Sequence, residues 1–199
     1  MNKTVLASLE TELNQSIEGD VLFDEMSRHI YSTDASLYQI NPLGIVLPKT
    51  RNEIHKIIQI ANKHGVPLLP RGGGTSLAGQ TVLAGLVVDC SKYLTRVLEV
   101  NAEEHWVRVE PGIVLDNLNE HLKIHNLHFP PDPATSSRAN IGGMIGNNSA
   151  GVRSIRYGKT VDQTLEASVV LSTGEELLLK NLDHESLQQK CSQKDREGE

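Results

Sequence analysis

In this 199-residue chain the residues best suited to chemistry lie in two glycine-rich segments, not in any nucleophile, base or metal set. The first runs Pro70, Arg71, Gly72, Gly73, Gly74, Thr75, Ser76, Leu77, Ala78, Gly79, Gln80, and is entered directly from an apolar run. Three consecutive glycines let backbone N–H groups converge and let a ligand approach without meeting a Cβ, which is how phosphate oxygens are cradled. Two better-known phosphate loops are excluded by single residues. Gly74 to Thr81 follows the outline of a P-loop, but Gln80 stands where the lysine that reaches the β- and γ-phosphates is required. Leu77 occupies the last glycine position of the dinucleotide fingerprint. The competing reading is a glycine-rich connector with no ligand. A β-branched residue at Gly73 is expected to block the approach of a phosphate.

The second segment opens with Pro130, Pro131, Asp132 and Pro133. It continues through Thr135, Ser136, Ser137 and Arg138 to Ile141, Gly142, Gly143, Met144, Ile145, Gly146, Asn147, Asn148, Ser149, Ala150 and Gly151. Small residues, hydroxyls and amides bring backbone close to a ligand and offer many hydrogen-bonding groups. No acidic residue falls between Asp132 and Asp162, whereas Arg138, Arg153, Arg156 and Lys159 do. A locally basic patch in a chain of net charge −6 points to an anionic ligand, and two separated segments suit a long one with a pyrophosphate. The competing reading is a solvated basic surface. His121, His125 and His128 have helical spacing, but Asn126 is expected to end that helix, so they read as polar helix-end residues and not as metal ligands. No general base can be assigned.

The elements that must position these segments are legible from periodicity. Gly44 to Leu47 is a short apolar strand stopped by Pro48, and Thr50 with Glu53 has the capping-box pattern. Ile54, Ile57, Ile58 and Ala61 then form one helical face, and Gly65 sits where a helix ends. A strand at Val66 to Leu69 follows, so the two strands are expected to be neighbours, parallel, and joined by a right-handed crossover. The glycine loop would leave the carboxyl end of a parallel strand, where open α/β sheets place ligands. After Leu86 to Asp89 the pattern changes to strands with one wet face, Val97 to Val100 and His105 to Val109, then a helix from Val114 to His125. Ala167 to Leu171 and Glu176 to Leu179 flank Ser172, Thr173, Gly174 and Glu175 as a hairpin.

The expected organisation is an N-terminal helical segment at 1–40, a first subdomain at 41–95, a second at 96–180 that is incomplete, and the start of a linker at 181–199 with no finishing element. The fold class is α+β, a small parallel α/β subdomain packed on a larger, mostly antiparallel one. Negative net charge and 4% aromatic residues argue against nucleic acid as a partner. Neither a signal peptide nor a transmembrane segment is visible, and Cys90 and Cys191 have no metal-ligand spacing, so a reducing cytoplasm fits.

On these residues the chain resembles the FAD-binding domain of the vanillyl-alcohol oxidase and p-cresol methylhydroxylase superfamily. The matching motifs are Pro70 to Ser76, the Pro131-Asp132-Pro133 turn, Ile141-Gly142-Gly143, and Gly146 to Gly151 followed by Arg156-Tyr157-Gly158, and similarity extends from about Tyr31 through Leu179. Within the superfamily it is similar to the D-lactate and glycolate oxidase branch. Tyr31 to Gln39 further resembles large enzymes that fuse this domain to a C-terminal iron–sulfur domain. The resemblance implies that Arg71 to Ser76, with Gly79 and Gln80 beyond them, hold the FAD pyrophosphate through backbone N–H groups. It implies that Pro131, Asp132, Thr135, Ser136, Ser137, Ile141, Gly142 and Gly143 complete the groove. Gly146, Asn147, Ala150 and Gly151 would lie nearer the flavin, and Val169 and Val170 would approach the adenine.

Thr75 and Ser76 stand where some relatives carry a flavin-linked histidine, so noncovalent FAD is implied. The full-length protein would oxidise a small D-2-hydroxy acid (lactate, glycolate or 2-hydroxyglutarate type) and pass electrons to an acceptor, which could hold it at the periphery of a membrane. Its substrate half and any iron–sulfur cluster would lie downstream, leaving this segment inactive alone. Other expectations are a non-redox phosphate-binding module or another reaction on the same flavin fold.

Overall fold

Four residues of one strand and four of another have both faces covered, and this fixes the centre of the first subdomain. In the computed structural model, which describes residues 3–193, strands β2 (Gly44–Leu47) and β4 (Leu86–Asp89) are buried along their whole length. Strand β1 (Asp20–Leu22) pairs antiparallel with β2, and β3 (Leu68–Arg71) parallel with β4, giving the order β1-β2-β4-β3. Val46, Leu86 and Val88 point to one face, where they meet Leu9 and Leu13 of helix α1 (Lys3–Ser16) and Ile57 and Ile60 of helix α3 (Arg51–His64). Ile45, Leu47 and Val87 point to the other, against Tyr31, Leu69 and Tyr93. Continuous apolar strands are what a parallel sheet covered on both faces requires.

Two expectations need correction here. Strands β2 and β3 are parallel but not neighbours, because β4 lies between them and pairs with both. The sheet places the fully buried β4 at the centre and leaves Pro70, which has no N–H to donate, on the edge strand. The third strand also starts two residues later than Val66. Gly65 adopts φ 63 and the Val66 N–H closes back on the Ala61 carbonyl at 2.9 Å, so Val66 is spent on ending α3 and the strand runs on into Pro70 and Arg71.

The stretch before residue 41 is more than helical. It contains α1, β1 and helix α2 (Glu25–Ile30), and both α1 and β1 build the first core. Thr50 caps α3 as the sequence indicates, but the buried Glu53 carboxylate accepts from the Lys49 and Glu18 N–H groups at 2.8 and 3.2 Å, tying α3 to the turn before β1.

The second core forms around a hairpin of β5 (Val97–Asn101) and β6 (Trp106–Val109), with helix α4 (Leu115–Leu122) and helix α5 (Ile141–Asn147). Leu115, Leu118 and Leu122 pack with Ile141 and Met144 against Val100, Val107 and Val109. A 3-10 turn at Lys123–His125 extends α4, and Asn126 stops it at φ 56. A short helix α6 (Ser154–Tyr157) follows α5. Strands β7 (Glu166–Val170) and β8 (Glu176–Lys180) form the expected hairpin, which docks on α3 through Arg51 to Ser168 and Asn62 to the Ser172 carbonyl.

A further helix, α7 (His184–Cys191), capped by Asp183 at the Ser186 N–H, occupies the stretch expected to hold no finishing element. It buries none of its residues, which is why no apolar pattern marked it. The expectation for Asp195 to Glu199 lies outside the described residues.

Candidate functional site

A cleft of about 380 Å³ opens where the two glycine-rich segments meet, lined by Gly73, Ser91, Val114, Ser137, Arg138 and Asn140. The first segment arrives from the carboxyl end of β3, as the sequence requires. Its backbone makes a close junction with the second. A Cβ on Gly72 would come within 2.7 Å of Asn140 Oδ1, and one on Gly73 within 2.3 Å of the Arg138 carbonyl oxygen. The absence of side chains at Gly72 and Gly73 is therefore needed first by the protein itself. A β-branched residue at Gly73 would strike the Arg138 backbone, so that substitution reports on the junction and not on phosphate approach.

The first half of the loop leaves its donors unbonded. Among the described residues, the N–H groups of Gly72, Gly73, Gly74, Thr75 and Ser76 donate to no protein oxygen. These are five unbonded N–H groups in sequence, and Gly73 among them lines the cleft. Gly74 and Gly79 have φ of 65 and 74, which a β-branched residue adopts only under strain. The Ser76 hydroxyl accepts from the Ala78 and Gln80 N–H groups, shaping the far half of the loop. Gln80 donates to Asn147 Oδ1 at 3.0 Å, closing the loop onto the end of α5.

The second segment is assembled by its own contacts. Pro131 is buried, and Asp132 accepts from the Arg153 N–H at 2.9 Å, with the Arg153 guanidinium 3.4 Å from its other oxygen. Gly151 is compressed against Asp132, where a Cβ would fall 2.1 Å from its carbonyl oxygen. Thr135 accepts from the N–H groups of Arg138 and Ala139, and the Ser136 carbonyl accepts from Asp116, which presents Ser137 and Arg138 to the cleft. Ile141 is core, and Gly142 donates to the Pro111 carbonyl and lies against that ring. Gly143 and Gly146 differ, since a Cβ on either meets nothing within 4 Å. Ala150 is exposed near them in sequence. Val169 and Val170 lie in the hairpin that docks on α3 and are not among the cleft's lining residues.

The basic patch is smaller in space than in sequence. Arg153 is paired with Asp132, and Arg156 stacks over Tyr157 at 5.2 Å. Arg138 is the cation of the four that lines the cleft.

Sequence reasoning missed Asn140. It is 3% exposed, its Nδ2 donates to the Gly112 carbonyl, and among the described residues its Oδ1 has no partner. A buried acceptor left unpaired costs about 1–3 kcal/mol, and a donor supplied by a ligand removes that cost. Its position immediately before Ile141-Gly142-Gly143 was the only available signal.

Behind the loop, Tyr31 donates from its hydroxyl to Asp89 at 2.6 Å, and burial, that hydrogen bond and the Asp89 charge all raise its pKa. Burial, helped by the Asp89 charge, pushes the neighbouring Cys90 thiol up to about 11, which makes it inert near neutrality. Asp34 accepts from Ser36 and Thr81. Burial pushes its pKa up, but these hydrogen bonds outweigh burial and hold its carboxyl below the usual range.

Residues 42–180 match the family model described as an FAD binding domain. The chain belongs to that family. Over 96% of its length the domain is 40% identical to a D-2-hydroxyglutarate dehydrogenase of Pseudomonas putida, and over 80% it is 35% identical to glycolate oxidase subunit GlcD of Bacillus subtilis. It spans 19% of the first relative and 35% of the second. In fold it is similar to an alkyldihydroxyacetonephosphate synthase (TM-score 0.77, 22% identity, 92% of this chain and 35% of that one). It is also similar to 4-ethylphenol oxidase from Gulosibacter chungangensis (TM-score 0.76, 23% identity, 89% and 35%).

The residues present fit FAD. A run of free N–H groups suits a pyrophosphate, an unpaired buried acceptor suits a ligand hydroxyl, and two glycines with open space above them suit a large flat group lying on backbone. Among the described residues no helix is long and apolar enough to cross a membrane.

Proposed function

We propose that this chain is the FAD-holding part of a longer dehydrogenase or oxidase that acts on a small D-2-hydroxy acid of the lactate, glycolate or 2-hydroxyglutarate type. The observation that carries the reading is the row of free N–H groups from Gly72 to Ser76 beside Asn140 and Arg138, in a chain 40% identical to a D-2-hydroxyglutarate dehydrogenase. The cofactor is held noncovalently, since Thr75 and Ser76 offer no imidazole for a flavin linkage. FAD supplies the hydride acceptor for the carbon that bears the substrate hydroxyl.

The chain's own residues bind and orient. Gly72, Gly73, Gly74, Thr75 and Ser76 take the pyrophosphate oxygens, and the Arg138 charge adds to their field. Asn140 accepts from a cofactor hydroxyl. Gly143, Gly146 and Asn147 lie under the part nearer the flavin ring, and Val169 and Val170 approach the adenine. Residues that contact the hydroxy acid belong to the portion of the longer protein that this chain does not include, as would any iron–sulfur centre, and the electrons pass to a separate acceptor. The setting is cytoplasmic, with the acceptor free to lie at a membrane.

An absorbance and fluorescence titration of the purified chain with FAD, with FMN and ATP as controls, tests the reading. Several charge-assisted hydrogen bonds of about 1.5–3 kcal/mol each support about −8 kcal/mol, or micromolar affinity, after ordering costs. Saturable binding selective for FAD is expected. A folded chain that takes up no FAD, or takes up ATP equally, overturns it.

A further inference from the structure

The segment from Tyr31 to Tyr38 touches the glycine loop at four places along its length. The Arg71 guanidinium reaches back from the loop's first turn and donates to the Tyr31, Thr33 and Thr81 carbonyls at 3.2, 2.8 and 2.8 Å. It stacks on the Tyr31 ring at 5.2 Å and lies directly beneath Gly74, where a Cβ would meet Nη2 at 2.7 Å. The Ala35 N–H donates to the Gly74 carbonyl at 3.1 Å. Asp34 Oδ2 accepts from both the N–H and the hydroxyl of Thr81 at 3.3 and 2.9 Å. The Tyr38 ring fills the space beside Gly79 that a Cβ would otherwise take, at 2.5 Å. The start of the segment is itself anchored, because the Tyr31 hydroxyl donates to Asp89 at the end of β4.

From Gly72 to Ser76 the N–H groups are unbonded, so no hydrogen bond donated by this half of the loop holds it in one shape. Ordering it at the moment of binding costs roughly 1–2 kcal/mol per residue fixed, and a scaffold that orders it beforehand removes that cost from the binding step. Among the described residues Arg71 pairs with no carboxylate, its guanidinium being taken up by the three carbonyls and the Tyr31 ring.

We propose that Tyr31 to Tyr38, with Arg71 and Thr81, is a brace that holds the Gly72–Gly79 backbone in its anion-accepting shape, and that Asp34, Arg71 and Thr81 are positioning residues for the bound anion. They act through the loop and touch no ligand. The inference rests on the FAD reading for the identity of the anion, but not for the existence of the brace.

The test pairs FAD titration with 15N relaxation of the Gly72–Gly79 amides in the ligand-free chain. Wild-type order parameters of about 0.85 are expected, falling below about 0.6 in T81V and D34N. The FAD dissociation constant should rise at least tenfold in both variants, with T81S, which keeps the hydroxyl, within about twofold of wild type. A role confined to stability would instead lower the ligand-free thermal midpoint and leave FAD affinity in the folded protein intact, which overturns the proposal. Should T81V and D34N fail to fold, Y38A, at an exposed position, decides: unchanged loop order and FAD affinity overturn the brace. A folded wild type that takes up no FAD overturns the flavin reading, and the brace then stands or falls on the relaxation data alone, equal loop order in wild type and T81V overturning it.

Discussion

Gln80 donates from Nε2 to Oδ1 of Asn147 at 3.0 Å, so the end of the first glycine segment is tied to the last residue of α5, 67 positions later in the chain. Both side chains are exposed, and the bond spans the two subdomains beside the cleft. A neutral hydrogen bond of this kind contributes about 0.5–1.5 kcal/mol. Replacing Asn147 by alanine should therefore destabilise the ligand-free chain by about 0.5–1.5 kcal/mol, read as a lower thermal midpoint. Equal FAD affinities by fluorescence titration would mean that the bond is made equally with and without the cofactor, and a raised affinity in the variant would mean that it opens when the cofactor enters.

Gly143 separates stability from binding. It lies inside a helix with open space where its Cβ would be, so Gly143→Ala should stabilise the ligand-free chain by about 0.5–1 kcal/mol. The same methyl group occupies the surface on which the cofactor would rest, so FAD affinity should fall about tenfold, equivalent to 1.4 kcal/mol. A more stable variant with undiminished affinity would place the cofactor elsewhere. Gly73 cannot serve this purpose, because its missing side chain is required by the Arg138 carbonyl.

Local chemistry accounts for what the sequence disclosed. Thr50 and Gly65 bracket α3 because capping depends on residues within one turn, and Ser172 to Glu175 announces the β7–β8 hairpin for the same reason. The central position of β4 was hidden, because which strand takes the middle of a sheet depends on burial of both faces by elements far away in the chain. The acid-free stretch reads as a basic patch, but chain reversal returns Asp132 to Arg153. Likewise the guanidinium of Arg71 donates to carbonyls of the 31–33 segment and to Thr81, contacts with residues up to 40 positions away that no local pattern announces. Asn140 carried no periodic or motif signal of its own, since its importance comes from an oxygen that the fold buries and leaves unpaired.

Glu110 gives a pH dependence to the second subdomain. Burial pushes its pKa up, but its carboxylate accepts from the Arg96 N–H at 2.9 Å and from the guanidinium at 2.7 and 3.1 Å, and the net effect is a value below the ordinary one. A carboxyl whose folded-state pKa is lowered stabilises the fold above the unfolded-state pKa of about 4.3, and that contribution is lost as pH falls through the lower folded value. Glu110→Gln should therefore lower the thermal midpoint at pH 7, and the difference should shrink as pH falls through the lowered folded-state value and the charge is lost. A gap between wild type and variant that stays equally wide as the pH is lowered would assign the loss to packing.

Asn140 places the sharpest demand on the cleft. In the ligand-free chain its Oδ1 bears the cost of burial without a partner, about 1–3 kcal/mol, while its Nδ2 gains about 1 kcal/mol from the Gly112 carbonyl. Asn140→Ala removes both, so the two effects largely offset each other and the ligand-free thermal midpoint should change little. Stabilisation by saturating FAD should shrink, because the acceptor that the cofactor hydroxyl would engage is gone and only the backbone cradle remains. Thermal unfolding of wild type and variant, each with and without FAD, measures both quantities in one experiment. A variant destabilised without ligand yet fully rescued by FAD would show that Asn140 serves only as a joint between Gly72 and Gly112, and that its free oxygen is satisfied by water.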